Sequence, residues 1–211
     1  MPPRRVERGA NALLNTVPLS SKSIDLTRMP VMIHTDADPG SDNPATGVLR
    51  LSDLGFAAPA ALLAGFGLNL QRVDDGLPIP GSYWGDAEAG IIGVTVFARD
   101  DTPVHSLLHE AGHLIVLPPG KRLAVHTDAT DSVEEEDATC YLQIVLADLL
   151  PGVGRDRLMA DMDAWGYSFR LDSTRAWFEQ DAENARQWLI AARVLDQHGQ
   201  PTRTATHATT E

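Results

Sequence analysis

Two histidines four residues apart, His109 and His113, enclose Glu110, Ala111 and Gly112. On a helix, positions i and i+4 share a face, so both imidazoles can reach a single point. Imidazole nitrogen binds zinc at about 2.0–2.1 Å in a tetrahedral shell, and two imidazoles with one carboxylate suit zinc best among the common ions. Glu110 is turned off the ligand face but stays near enough to handle a water bound to the ion, which is where a general base belongs. The flanking residues Ser106-Leu107-Leu108 and Leu114-Ile115 carry no charge. Polar groups on so apolar a helix need partners, and a metal is one. The chemistry implied is hydrolysis by an activated water.

The elements around the pair must position it. Thr102 is an N-cap candidate and Pro103 fits the first helical position, so the histidine helix is expected from there to about Val116, where Leu117-Pro118-Pro119-Gly120 stops it. Gly90–Ala98 is short and β-branched and reads as a strand just before that helix. Downstream, Ser132 and Glu135 have the spacing of a capping box, which opens a second helix reaching about Leu150. Further helices are expected over Leu51–Leu63, with Ser52 as an N-cap, over Arg155–Trp165, and within Ser173–Leu195, where Ala185, Trp188, Leu189, Ala192 and Leu195 form an apolar stripe. Short strands are expected at Leu68–Val73 and Arg122–Val125.

With this setting, the sequence resembles the zincin metallopeptidases, on His109-Glu110-Ala111-Gly112-His113 and the strand before it; the resemblance covers roughly residues 68–150. It implies an α+β fold: a small zincin-like domain with a short mixed sheet, a metal-binding helix, a second ligand-bearing helix and additional C-terminal helices. One zincin branch takes a third histidine six residues after the second, and Pro119 stands there instead. The gluzincin branch takes a glutamate on the next helix, about twenty residues on, and Glu135 lies 22 residues after His113. At about 100° per residue, Glu134 and Glu135 flank the apolar stripe of Ala138, Tyr141, Leu142, Val145 and Leu149, whereas Glu136 points nearly opposite. Glu135, followed three positions later by Ala138, matches the family's habit and is the chosen third ligand; Glu134 is second and Glu136 is disfavoured. The resemblance further implies a zinc-dependent peptidase with Glu110 as base, acting on a peptide or protein that pairs with the strand near Gly90–Ala98. The alternative is a zincin-like domain that holds metal for regulation or interaction without cleaving. A helical interaction module with structural histidines is a further rival.

Composition bounds these readings. Among 211 residues, 43% are hydrophobic and 22% charged, which describes a globular chain. A net charge of -12 repels phosphate backbones, so no nucleic-acid partner is expected. The single cysteine, Cys140, excludes an internal disulfide and a cysteine-based zinc finger. No signal-peptide core or membrane-length apolar run is read, so no membrane partner is expected and the cytoplasm is the expected compartment. The expected organisation is a flexible segment at residues 1–28, one domain over residues 29–197 and a disordered tail at residues 198–211. The aspartate-rich stretch His34–Pro44 does not match a calcium loop. Secondary candidates are His105 along the cleft; His126, Asp128 and Asp131 as partners of a ligand histidine; Tyr141 as an oxyanion donor, with packing the better account; and Ser82-Tyr83-Trp84-Gly85 as a pocket wall.

Overall fold

Glycines divide the two longest apolar stretches of the first half. Gly55, at φ +72°, ends α1 (Leu51–Leu54) and separates it from α2 (Ala57–Ala64), where the sequence reading has one helix. Gly93, at φ +61°, folds Gly90–Ala98 into a hairpin of β3 (Gly90–Ile92) and β4 (Thr95–Ala98), where the reading has one strand. It is the first of two turn residues, the position at which a type II′ turn takes glycine. In this computed structural model, the description covers the backbone of Val31–Met32 and residues 47–83, 85–129 and 132–203. The expected N-terminal segment, His34–Pro44, Trp84 and Asp131 lie outside it.

The fold is α+β. β2 (Asn69–Arg72) runs parallel to β4, from Asn69 beside Thr95 to Arg72 beside Ala98. β3 lies antiparallel on the other side of β4, with Gly90 beside Phe97 and Ile92 beside Thr95. The sheet is therefore mixed, in the order β2-β4-β3. The outer edge of β3 is covered by the chain itself. The Ile91 N–H donates to the Gly81 carbonyl at 3.2 Å, and the Ile91 carbonyl accepts from the Thr127 N–H at 3.0 Å.

Beside the sheet lies α3 (Val104–Val116), which carries the histidines and begins within a residue or two of the expected start. It packs on α5 (Val133–Ala147). At Gly112 the helices approach so closely that a Cβ would stand 3.0 Å from Thr139 Cγ2. Ser132 caps α5 as expected, its Oγ accepting from the Glu135 N–H at 3.3 Å. From Ala138 to Ala147 every residue of α5 is buried. Leu107, Leu108 and Leu114 of α3 meet Leu142, Ile144 and Leu146 of α5 in one apolar cluster, and each contributes about 1.5–3 kcal/mol by leaving water.

Between these helices the expected strand Arg122–Val125 is absent. Its first residue ends α4 (Pro119–Arg122). The Arg122 guanidinium is buried and donates to the carbonyls of Leu117, Phe66 and Ile115 at 3.0–3.2 Å, so it closes the C-terminal end of α3. The carbonyls of Ile115 and Leu117 lie at the end of α3, where helical partners run out, and the arginine satisfies them. The remaining elements are α6 (Arg155–Trp165), β5 (Tyr167–Ser168), α7 (Thr174–Gln180) and α8 (Glu183–Ala191). β5 pairs with β1 (Val31–Met32), Met32 facing Tyr167. The helix expected within Ser173–Leu195 is thus two, parted at Asp181-Ala182. Residues 198–203, placed in the tail by the sequence reading, are tied back: the Thr202 N–H donates to the Val194 carbonyl at 2.8 Å, and Leu195 bridges Pro201.

Candidate metal centre

The helical spacing of His109 and His113 places their rings edge to face, with centroids 4.6 Å apart. Their Nε2 atoms face each other at 3.1 Å. Each Nδ1 points away, toward α5. His109 Nδ1 lies 3.0 Å from Gln143 Oε1, and His113 Nδ1 lies 3.5 Å from Thr139 Oγ1. The Gln143 Nε2 donates to the proton-free Met162 Sδ at 2.9 Å, which orients the amide so that its oxygen meets the histidine. An amide oxygen only accepts, so His109 Nδ1 carries the proton and Nε2 is left with a lone pair. This is the tautomer a metal ligand requires, held as outer hydrogen bonds hold ligating histidines.

The carboxylate that joins them belongs to Glu136. Its Oε1 lies 3.4 Å from His109 Nε2 and its Oε2 lies 3.4 Å from His113 Nε2. His109, His113 and Glu136 form a group able to hold a metal ion, two nitrogens and one oxygen converging on one point. The sequence reading expects Glu135 there and disfavours Glu136. Glu135 instead lines an open hollow of about 550 Å³ together with Leu117, Lys121, Val125, Asp128 and Ser132. The reason for the correction is burial. The apolar stripe reads as the face turned inward, but every residue of α5 from Ala138 to Ala147 is buried, so the stripe marks no direction. The face that meets α3 is the polar row of Glu136, Thr139 and Gln143, at i, i+3 and i+7. Gln143, an uncharged polar residue inside an apolar run, is the signal that could have revealed this row. Glu134 is exposed and accepts from the Ser132 hydroxyl at 3.0 Å.

Glu110 occupies the same turn of α3 as the histidines and is partly buried. Burial pushes its carboxyl well above the usual carboxylate range, and the charges of Glu88, Glu136 and Asp128 push the same way. Burial likewise holds His113 well below the usual imidazole range. Both shifts favour neutral groups, and a dication among these side chains would reverse the first.

One turn before the histidine pair, His105 is buried and packs on the rings of Trp165 and Tyr167, at 5.0 and 5.6 Å. Among the described residues neither of its ring nitrogens has a hydrogen-bond partner, and the Tyr167 hydroxyl has none either. A buried polar group left in this way costs about 1–3 kcal/mol. Burial holds His105 down to about 3. Tyr167 also meets the His109 ring edge-on at 6.1 Å, and the sequence reading missed it because it lies far along the chain. Tyr141 stacks on Phe178 at 4.6 Å, as its packing account expects. His126 is exposed, bridges Ile92 through its backbone and meets Thr127 Oγ1 at 2.9 Å. Asp128 stands on the wall of the hollow, Tyr83 is exposed, and the Ser82 hydroxyl accepts from the Gly85 N–H at 3.1 Å. No protein family, curated protein or solved structure matches this chain.

Proposed function

We propose that this protein is a zinc-dependent peptidase in which His109, His113 and Glu136 hold the ion and Glu110 is the general base. The observation that carries the reading is the convergence of two imidazole Nε2 atoms and both oxygens of Glu136, with the Nδ1 atoms turned to partners on α5. Two nitrogens and a carboxylate suit zinc and leave a fourth position of a tetrahedral shell. Held there, a zinc ion would supply Lewis acidity and would lower the pKa of a bound water. Glu110 takes the proton of the attacking water and passes it to the leaving amine.

A second reading, a domain that holds metal without cleaving, draws on one observation. The outward N–H and C=O of Ile91 are already occupied by Gly81 and Thr127, so an extended peptide pairs with β3 only by displacing them.

The test is metal content and peptide-library cleavage on three proteins. The wild type is expected to carry one zinc per chain and to cleave. Glu110→Gln is expected to keep the zinc and lose cleavage, and His113→Ala to lose both. A wild type that takes up zinc but cleaves nothing in the library favours the second reading. A wild type that takes up no transition metal ends both.

A further inference from the structure

The face of α5 that meets α3 carries Glu136, Thr139, Cys140 and Gln143, at i, i+3, i+4 and i+7. Gln143 meets Nδ1 of His109 and Thr139 meets Nδ1 of His113, so each histidine has an outer partner on this helix. Glu136 is the proposed ligand that most needs one. Its side chain is 22% exposed, against 6% for His109 and 12% for His113, and its rotatable bonds let it swing toward water. Once the Nε2 lone pairs face an ion, neither histidine can donate to this carboxylate from that atom.

The side-chain donor that remains within reach among the described residues is the Cys140 thiol. Its Sγ lies 3.9 Å from Glu136 Oε1, and the S–H donates to that oxygen. Cys140 is fully buried, so water does not compete for the proton. The thiol is a neighbour of the carboxylate rather than one of the converging groups: the atoms within 4.8 Å of one another belong to His109, His113 and Glu136. A small apolar side chain would pack at this position much as cysteine does, and what the thiol adds is a donor. Carboxylates that bind metals are themselves hydrogen-bonded, and losing such a partner costs about 10–100-fold in metal affinity.

We propose that Cys140 is a positioning residue, whose S–H holds the Glu136 carboxylate toward the histidine pair. No bond to sulfur forms or breaks, and the thiol keeps its proton. The proposal rests on the reading of His109, His113 and Glu136 as metal ligands, and it is independent of whether peptides are cleaved.

The experiment compares the full-length wild type with Cys140→Ala and Cys140→Ser. The two variants lose nearly the same bulk, but serine keeps a donor and alanine does not. Zinc affinity is measured by competition with a chromophoric chelator, and urea unfolding of the metal-free proteins ensures that folded chains are compared. Cys140→Ala is expected to bind zinc about tenfold more weakly than the wild type, and Cys140→Ser to bind close to the wild type. Cobalt in place of zinc reads the sulfur directly, since a thiolate ligand gives a charge-transfer band and a thiol that only donates gives none. No band is expected in any of the three. Equal zinc affinity in Cys140→Ala and Cys140→Ser overturns the proposal, because bulk and not the donor would then matter. Wild-type affinity in Cys140→Ala overturns it too. A thiolate band in the wild type that vanishes in Cys140→Ser makes Cys140 a ligand and likewise overturns it. A wild type that takes up neither ion ends the metal reading and the proposal together, whereas the wrong order among proteins that do bind zinc ends the proposal alone.

Discussion

At the scale of single residues, three consecutive glutamates compete for one place, and only one is aimed at it. Glu136 reaches both Nε2 atoms, whereas Glu135 opens onto the hollow. Replacing the carboxylate by an amide keeps shape and removes charge, so the two positions can be compared cleanly. Glu136→Gln is expected to weaken zinc binding on the order of 100-fold or more, beyond what loss of an outer hydrogen bond costs. Glu135→Gln is expected to leave it unchanged. Competition with a chromophoric chelator measures both, and the reverse order would return the third ligand to Glu135. The histidine pair and Glu110 were legible because their relation is local: an i, i+4 spacing has the same meaning on any helix. Glu136 was not legible, because the choice among neighbours depends on how α5 rolls against α3.

At the scale of elements, the site exists because two helices approach closely along one line. Gly112 permits this, since its missing Cβ would stand 3.0 Å from Thr139 Cγ2. Thr139 and Gln143 on the same line meet the Nδ1 atoms of His113 and His109. Gly112→Val adds branched volume at that crossing. It is expected to lower stability by about 1–3 kcal/mol through overpacking, and to weaken zinc binding by pushing Glu136 and Gln143 away from the histidines. Urea unfolding of the metal-free protein and a zinc titration measure the two effects separately. Full stability together with full zinc affinity would mean that the approach at Gly112 positions nothing. Sequence periodicity identified α6 and the cap of α5 well. It missed the hairpin at Gly93 and the role of Arg122, because a turn glycine inside a β-branched run and an arginine reaching three distant carbonyls leave no repeating pattern.

At the scale of the whole molecule, the polar site is embedded in one apolar cluster, and acid should undo it. His105 is neutral in the fold, held down to about 3 chiefly by burial and then by the charges of His109 and Arg50. The unfolded chain takes up that proton near the ordinary histidine value of about 6.5. Below that pH the unfolded state binds more protons than the folded state, so stability falls as pH falls from about 6.5 toward about 3. One such proton is worth about 1.4 kcal/mol per pH unit. His105 alone is expected to cost the metal-free protein about 1.2 kcal/mol between pH 6 and pH 5, and His105→Phe is expected to flatten the slope by about that amount. Denaturant unfolding at the two pH values checks it, and an unchanged slope would mean that His105 is protonated in the fold. Among the described residues no helix is long and apolar enough to cross a membrane.

The sequence by itself determined the histidine pair, the glutamate beside it, the helix that bears them and the α+β class. Each of these follows from residue types at short, fixed separations, where backbone geometry leaves little freedom. Only the tertiary structure decided that Glu136 completes the group, that Gln143 and Thr139 orient the histidines, that Tyr167 stands over His109, and that β3 has no open edge. Those relations join segments far apart in the chain. They depend on the roll and approach of packed elements, which are set by the fit of side chains across α3 and α5 rather than by any period within one of them.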